Sequence, residues 1–206
     1  ASPASPAPAA RPRIPPMLLD ADFLRRKFDE GLDYDAFVAL GESHGHRPAW
    51  DQRYGQLELT AEQQALVAGF GRDMKVVCLT GTWCGDCALQ GAAMHRIAEA
   101  SPRIDLRFLM RADEHADLIV PAQINAGFRV PVSWFMAEDF EPVSRLGDRT
   151  LSRYRSMARK ALGEQAVPAP PPADPVRAVL EEVLAEFERV QLLLRLSGRL
   201  RQKHGD

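Results

Sequence analysis

Apolar positions in the first third of the chain recur at helical spacing. Leu18, Phe23, Leu24 and Phe28 make one stripe, and Tyr34, Phe37, Val38 and Leu40 make a second, shorter one. This is the three-to-four-residue recurrence of amphipathic helices. Residues 41–55 follow as a turn-rich loop carrying His44, His46 and Trp50. Thr60-Ala-Glu-Gln63 then reads as a capping box, opening a helix with Leu66, Val67 and Phe70 on one side and Gly71 as its stop. At Met74 the period changes. The run MKVVCL (74–79) is short, apolar and β-branched, which predicts a strand covered on both faces.

A helix over 85–100 follows, carried by Leu89, Ala93, Ile97 and Ala98, and then an alternating strand over 104–110. Residues 113–124 predict a second helix broken or bent at Pro121, because proline cannot supply the backbone N–H. Two strands, 132–136 and 142–146, flank an acidic turn, and Asp148 is positioned to cap a helix running to about residue 162. The middle of the chain thus predicts the order β-α-β-α-β-β-α.

The ends differ in kind. Residues 1–16 hold six prolines and no apolar periodicity, so they predict a Pro/Ala-rich tail in coil or polyproline II. Residues 17–71 form a helical N-terminal extension and 72–163 the α/β domain. Residues 164–175, with a proline-dense stretch from Val167 to Pro175, form a semi-rigid linker. Residues 176–206 predict an amphipathic helix with Val176, Leu180, Val183, Phe187, Val190 and Leu194 on one stripe, acids early and cations late, as the helix dipole favours. That stripe either packs on its own domain or pairs with a second copy as a homodimer through residues 176–196.

Composition narrows the function classes. With 26 Lys and Arg against 28 Asp and Glu, the formal net charge is −2 over 206 residues, which argues against binding nucleic acid by phosphate neutralisation. No apolar run reaches the ~18 residues a membrane span needs. Three cysteines are too few for a secreted disulfide framework. This usage points to the cytoplasm, with an exported mature form as the alternative, since an Ala-rich start also suits a processed terminus.

Two of those cysteines carry the chemistry. Trp83-Cys84-Gly85-Asp86-Cys87 directly follows the apolar strand and opens a helix. Thiolates, not thiols, attack disulfides, and the unpaired N–H groups of a helix start stabilise the anion. Cys84 is therefore the expected nucleophile, and Cys87, one turn on, the residue that closes the ring. A CxxC is also half of a zinc site; His44 and His46 could complete a Cys-Cys-His-His set, and a structural, inert disulfide is the remaining option. His95, Trp50 and Trp134 are expected to pack, Trp134 in the core near Pro131, and residues 149–155 to present the exposed basic face of a helix.

The Trp-Cys-x-x-Cys motif between strand and helix resembles the thioredoxin superfamily. A second match is Phe128-Arg129-Val130-Pro131 ahead of the strand Val132-Ser-Trp-Phe-Met136, with Pro131 standing 44 residues after Cys87. Pro131 resembles the family's cis-proline, which faces the CxxC, and Val130 the residue that offers backbone groups to substrate. Together they make the resemblance strong over about residues 74–162. The Cys-Gly-Asp-Cys variant and the upstream helical segment are similar to a bacterial branch of thioredoxin-like proteins with a helical N-terminal extension. The implied fold is α/β, a central mixed sheet flanked by helices, with added helices at both ends.

The resemblance implies a thiol–disulfide oxidoreductase, specifically a protein-disulfide reductase. Its substrate would be a disulfide-containing protein or small thiol, and its electron donor a separate reductase or a low-molecular-weight thiol. It implies no metal, nucleotide or flavin in this chain, and no nucleic-acid or membrane partner. Trp83 corresponds to a surface platform for substrate, with Gly85 beside it. The competing reading is a non-catalytic binding or scaffold module whose extra helices mediate assembly; an accessible Cys84 separates the two.

Two departures from the family pattern stand out. The family's buried aspartate, six residues before the first cysteine, is here Cys78, and its lysine partner corresponds to Leu109, so both have turned apolar together. That removes the usual proton acceptor for Cys87 and leaves Asp86 or water for the task; Cys78 is either a buried hydrophobe or a third redox thiol. Asp86 also replaces the usual proline of the loop, and a carboxylate beside the thiolate predicts a more reducing couple.

Overall fold

The computed structural model describes residues 19–167 and 169–206; the proline-rich tail expected over 1–16 lies outside them. Four strands make one mixed sheet: β1 (Met74–Thr80), β2 (Ile104–Met110), β3 (Val132–Ala137) and β4 (Pro142–Leu146), in the spatial order β2-β1-β3-β4. β1 runs parallel to β2 and antiparallel to β3, which runs antiparallel to β4. The strand pleat sorts β1 between two cores. Met74, Val76 and Cys78 face one cluster, and Val77 and Leu79 face the other.

Helices cover both faces. α1 (Ala21–Asp29), capped by Asp20, sends Phe23, Leu24 and Phe28 against the Val77/Leu79 face. α2 (Tyr34–Ala39), capped by Asp33, puts Phe37 and Val38 into the other core. Between them Leu32 exchanges two backbone hydrogen bonds with Phe108, which occupies part of the outer edge of β2. α3 (Arg47–Gln56) and α4 (Ala61–Ala68) complete the N-terminal extension. The capping box at Thr60 and Gln63 forms reciprocally, while the helix ends on Gly69, ahead of Gly71.

Three local expectations are corrected. Residues 41–55, expected as loop, contain α3; only its Trp50 is buried, so no apolar stripe marked it. The helix expected over 113–124 shrinks to a 3-10 turn at Asp113–His115 and α6 (Ala116–Ile119), anchored by Leu118, before the chain turns ahead of Pro131 with Asn125 and Ala126 at positive φ. α7 (Leu151–Leu162) starts after Thr150, not Asp148. Asp148 is instead buried and receives Arg129, Arg149 and Tyr154.

α5 (Gly85–Glu99) lies on the Cys78 face, crossed by α3 so closely that a Cβ at Gly91 would stand 2.7 Å from the Trp50 ring. The C-terminal stripe is spent within the chain. α8 (Pro175–Leu196), capped by Asp174, buries Val179, Leu180, Val183, Leu184, Phe187, Val190 and Leu194 in the same core, with the Phe187 ring edge-on to Phe135 at 4.9 Å. Leu192, Leu193 and Leu196 are left facing outward. Ser197 ends α8 and caps α9 (Gly198–His204). Gln191, buried on α8, accepts from the Gly71 and Arg72 amides and donates to the Arg72 carbonyl, tying the C-terminal helix to the start of β1.

Helices α2 and α8 therefore share one core with the sheet, and α1 packs in the other. Phe187→Ala should cost about 3–5 kcal/mol, the penalty of a large buried cavity, and denaturant unfolding should remain a single transition. A separate early transition for α8 would show it to be an appendage.

Candidate active site

The redox motif sits where β1 hands over to α5. Cys84 is the N-cap of α5: its sulfur accepts the Cys87 backbone N–H at 3.3 Å. The same sulfur lies 3.8 Å from the Val130 carbonyl oxygen, and the Val130–Pro131 peptide is cis. The structure thus brings Cys84, Cys87, Val130 and Pro131 together, and both cysteines are free thiols. Cys84 is half-buried, whereas Cys87 is fully buried beneath it. Trp83 lays its indole over Gly81, where a Cβ would come within 2.7 Å of the ring, and stays 48% exposed. Gly85 is exposed at the helix start. Cys84 as a whole residue is neither buried nor fully exposed, and it packs partly against the core that α2 and α3 also line.

The two thiols are driven apart in acidity. Cys84 is lowered to about 6, chiefly by the hydrogen bond from the Cys87 thiol, against burial, and further by the backbone N–H groups of Cys87 and Asp86. At pH 7 it would then be ~90% thiolate, against ~3% for a thiol of ordinary pKa ~8.5. Cys87 moves strongly upward, first because it is buried and then because its proton is shared with Cys84; the Thr80 hydroxyl and the Gly81 backbone offset this slightly. One anionic attacker and one protonated resolver is the division of labour that two-step disulfide exchange needs.

Asp86 is held rather than free. Its carboxylate accepts from Arg149 Nε at 2.7 Å and Arg153 Nε at 2.5 Å, and Arg149 also reaches Asp148 at 2.7 Å. The like-charge push of Asp86 on Cys84 is the smallest of the influences on that thiol. Both carboxylate oxygens rest on guanidiniums, which offset part of the negative charge that faces the sulfur.

Cys78 is fully buried in β1, with its thiol pushed up to about 12 by that burial. Its partner in the neighbouring strand is Phe108 and not Leu109, which faces the opposite core. Both are apolar, so no buried acid–lysine pair lies behind Cys87. Trp134 is likewise in the core on the far face, away from Cys78, and His95 stacks flat on Tyr34 at 4.0 Å. Among the described residues no three His, Cys, Asp or Glu side chains converge in a way that could hold a metal ion.

Sequence reasoning missed the brace under the motif. Trp50, buried on α3, donates its indole N–H to the Thr82 carbonyl at 2.9 Å, and His46 Nδ1 lies 3.0 Å from the Thr82 hydroxyl. The N-terminal extension thereby fixes the turn that presents Cys84. A single tryptophan on a polar helix gave no periodic signal for it. Arg149 and Arg153, expected on the exposed basic face of a helix, instead reach Asp86 across more than sixty residues, with Arg149 ahead of α7 and largely buried. Trp50→Phe should leave a buried carbonyl unpaired and cost at least about 1–3 kcal/mol in a denaturant titration; an unchanged midpoint would remove Trp50 as a brace.

The family model Thioredoxin_9, described as "Thioredoxin", matches residues 31–160. The match starts inside the helical extension, so the part of that segment from residue 31 onward is shared. No curated protein matches the chain. Among solved structures, a protein of unknown function, PA1234 from Pseudomonas aeruginosa, superposes with a TM-score of 0.64 at 19% identity, covering 81% of this chain and 95% of its own. An HIV 4E10 epitope-scaffold does so with a TM-score of 0.57 at 19% identity, covering 79% and 97%. At that identity both likenesses speak to the fold alone.

Proposed function

Because the chain belongs to the thioredoxin family, we propose that it is a thiol–disulfide oxidoreductase working as a protein-disulfide reductase. The observation that carries this reading is the Cys84 sulfur at the start of α5, lowered to about 6 and half-exposed beside the Val130 carbonyl, with the protonated Cys87 one turn away. The Cys84 thiolate attacks one sulfur of a substrate disulfide. The substrate S–S bond breaks, a Cys84–substrate mixed disulfide forms, and one substrate thiolate leaves. That departing thiolate is the base produced at the site, and it takes the Cys87 proton. The Cys87 sulfur then attacks Cys84 Sγ, closing the Cys84–Cys87 disulfide and expelling the second substrate thiolate. Two electrons pass to substrate, and a separate reductase or low-molecular-weight thiol returns them.

In this account Trp83 and the Val130–Pro131 turn form the docking surface, and Asp86, clamped by Arg149 and Arg153, holds α7 against the start of α5. A first thiol near 6 is closer to the reductase end of the family (~7) than to its strong oxidants (~3.5). The reading implies no metal or organic cofactor. Among the described residues no helix is long and apolar enough to cross a membrane. The test is a redox titration of the Cys84–Cys87 pair together with insulin reduction. A potential nearer ~−270 mV than ~−120 mV, with catalysed reduction, supports the reading; a strongly oxidising potential or no turnover overturns it.

A further inference from the structure

Around Cys84 the charge balance reverses that of the chain. The sequence carries a formal net charge of −2, yet the side chains bordering the redox centre are Arg111, Arg129, Arg149 and Arg153 against Asp86 and Asp148. Both acids are turned inward, with side-chain exposures of 12% and 2%, and each is held by two guanidiniums. Arg111 differs from the other three. It stands just beyond β2, its guanidinium 5.6 Å from the exposed Trp83 ring, and its Nη1 donates to the Phe128 carbonyl at 3.0 Å. No carboxylate pairs with it among the described residues. It thus bridges Trp83 and Phe128, the latter 49% exposed and two residues before Val130. An unneutralised guanidinium thus lies between the exposed Trp83 ring and the Phe128 carbonyl, on the two segments that lead into Cys84 and Val130.

We propose that this surface selects disulfide-bearing polypeptides with acidic residues flanking the cysteine, and that Arg111 is the specificity-determining side chain. The inference rests on the oxidoreductase reading. An apolar side chain of the substrate covers Trp83 or Phe128, while a neighbouring Asp or Glu meets Arg111 without having to displace a resident acid. Charge complementarity at such a rim acts mainly on the encounter rate and is screened by salt. The guanidinium, anchored by one N–H to a carbonyl beside an indole, also offers a carboxylate a directional partner.

The test compares two disulfide-linked peptides of otherwise identical sequence, one with Glu and Asp beside the cysteines and one with Lys. At low ionic strength the protein should reduce the acidic peptide with a kcat/KM about tenfold higher or more, and 1 M salt should bring the ratio near one. Arg111→Gln should collapse the ratio to within about twofold. Arg111→Lys should restore a large part of it, which a merely structural role would not predict. Arg103→Gln, which removes the same charge far from the site, should leave the ratio as in the wild type. Equal rates for the two peptides in the wild type, or an undiminished ratio in Arg111→Gln, overturns the specificity inference alone. Reduction of neither peptide overturns the oxidoreductase reading and this inference with it.

Discussion

Cys84→Ser should abolish disulfide reduction, with a loss of at least about a thousandfold in turnover, because a serine hydroxyl is essentially un-ionised at neutral pH and cannot form the mixed disulfide. Cys87→Ser should behave differently. It keeps the attacking sulfur, so the first exchange proceeds and a Cys84–substrate adduct accumulates, visible by mass spectrometry as a covalent complex that dithiothreitol releases. The contrast follows from geometry: only Cys84 is half-exposed at the helix start, while Cys87 is buried beneath it with its proton retained. Comparable residual turnover in the two variants, or an adduct on Cys87 in place of Cys84, would dissolve the assignment of attacker and resolver. The fold itself should tolerate both changes, since each nearly preserves size and Thr80 and the Gly81 backbone lie within hydrogen-bonding reach of the buried group at 87.

The second large effect concerns the clamp on Asp86. With Arg149 and Arg153 both replaced by Gln, the carboxylate beside Cys84 loses the two guanidiniums that hold it. Its negative charge then acts on the neighbouring sulfur, and the Cys84 midpoint should rise by on the order of one pH unit or more from its value of about 6. Asp86→Asn should move it the other way, because the acid goes and the arginines stay. Opposite signs for the two variants are the signature of charge balance. If Asp86 were instead the proton acceptor for Cys87, Asp86→Asn would slow resolution and prolong the mixed disulfide while leaving the Cys84 midpoint in place. The measurements are stopped-flow alkylation against pH for the midpoint, and quenched-flow trapping for the adduct.

How far the sequence disclosed this molecule depends on whether a signal was local. The strand and helix around the motif were legible, because an apolar β-branched run followed by Cys-Gly-Asp-Cys combines a period change with a helix start. Pro131 was legible through its resemblance to the family's cis-proline, and the peptide before it is cis. α3 was not, because its one buried residue is Trp50. The expected helix over 113–124 failed for the opposite reason: its apolar residues outlast its backbone, which turns after Ile119 to bring Val130 beneath Cys84. Asp148 looked like a helix cap by position, but it is a buried counter-ion, a role that depends on Arg129 and Tyr154 arriving from either side. The stripe on α8 was read correctly as apolar, and only the structure says that it faces this chain's own α5 and β4. The role of Asp86 was least legible of all. Its sequence neighbours suggested a bare charge beside the thiolate, and its spatial neighbours are Arg149, just ahead of α7, and Arg153 on it.

The account turns on the ionisation of one sulfur. In the reduced wild-type protein, the rate of alkylation at Cys84 by iodoacetamide should follow a single titration with its midpoint at about 6, with Cys78 and Cys87 unlabelled on the same timescale because both are buried. A midpoint at ~8.5, the value of an unassisted thiol, or labelling of neither Cys84 nor Cys87 in the folded protein, would contradict it.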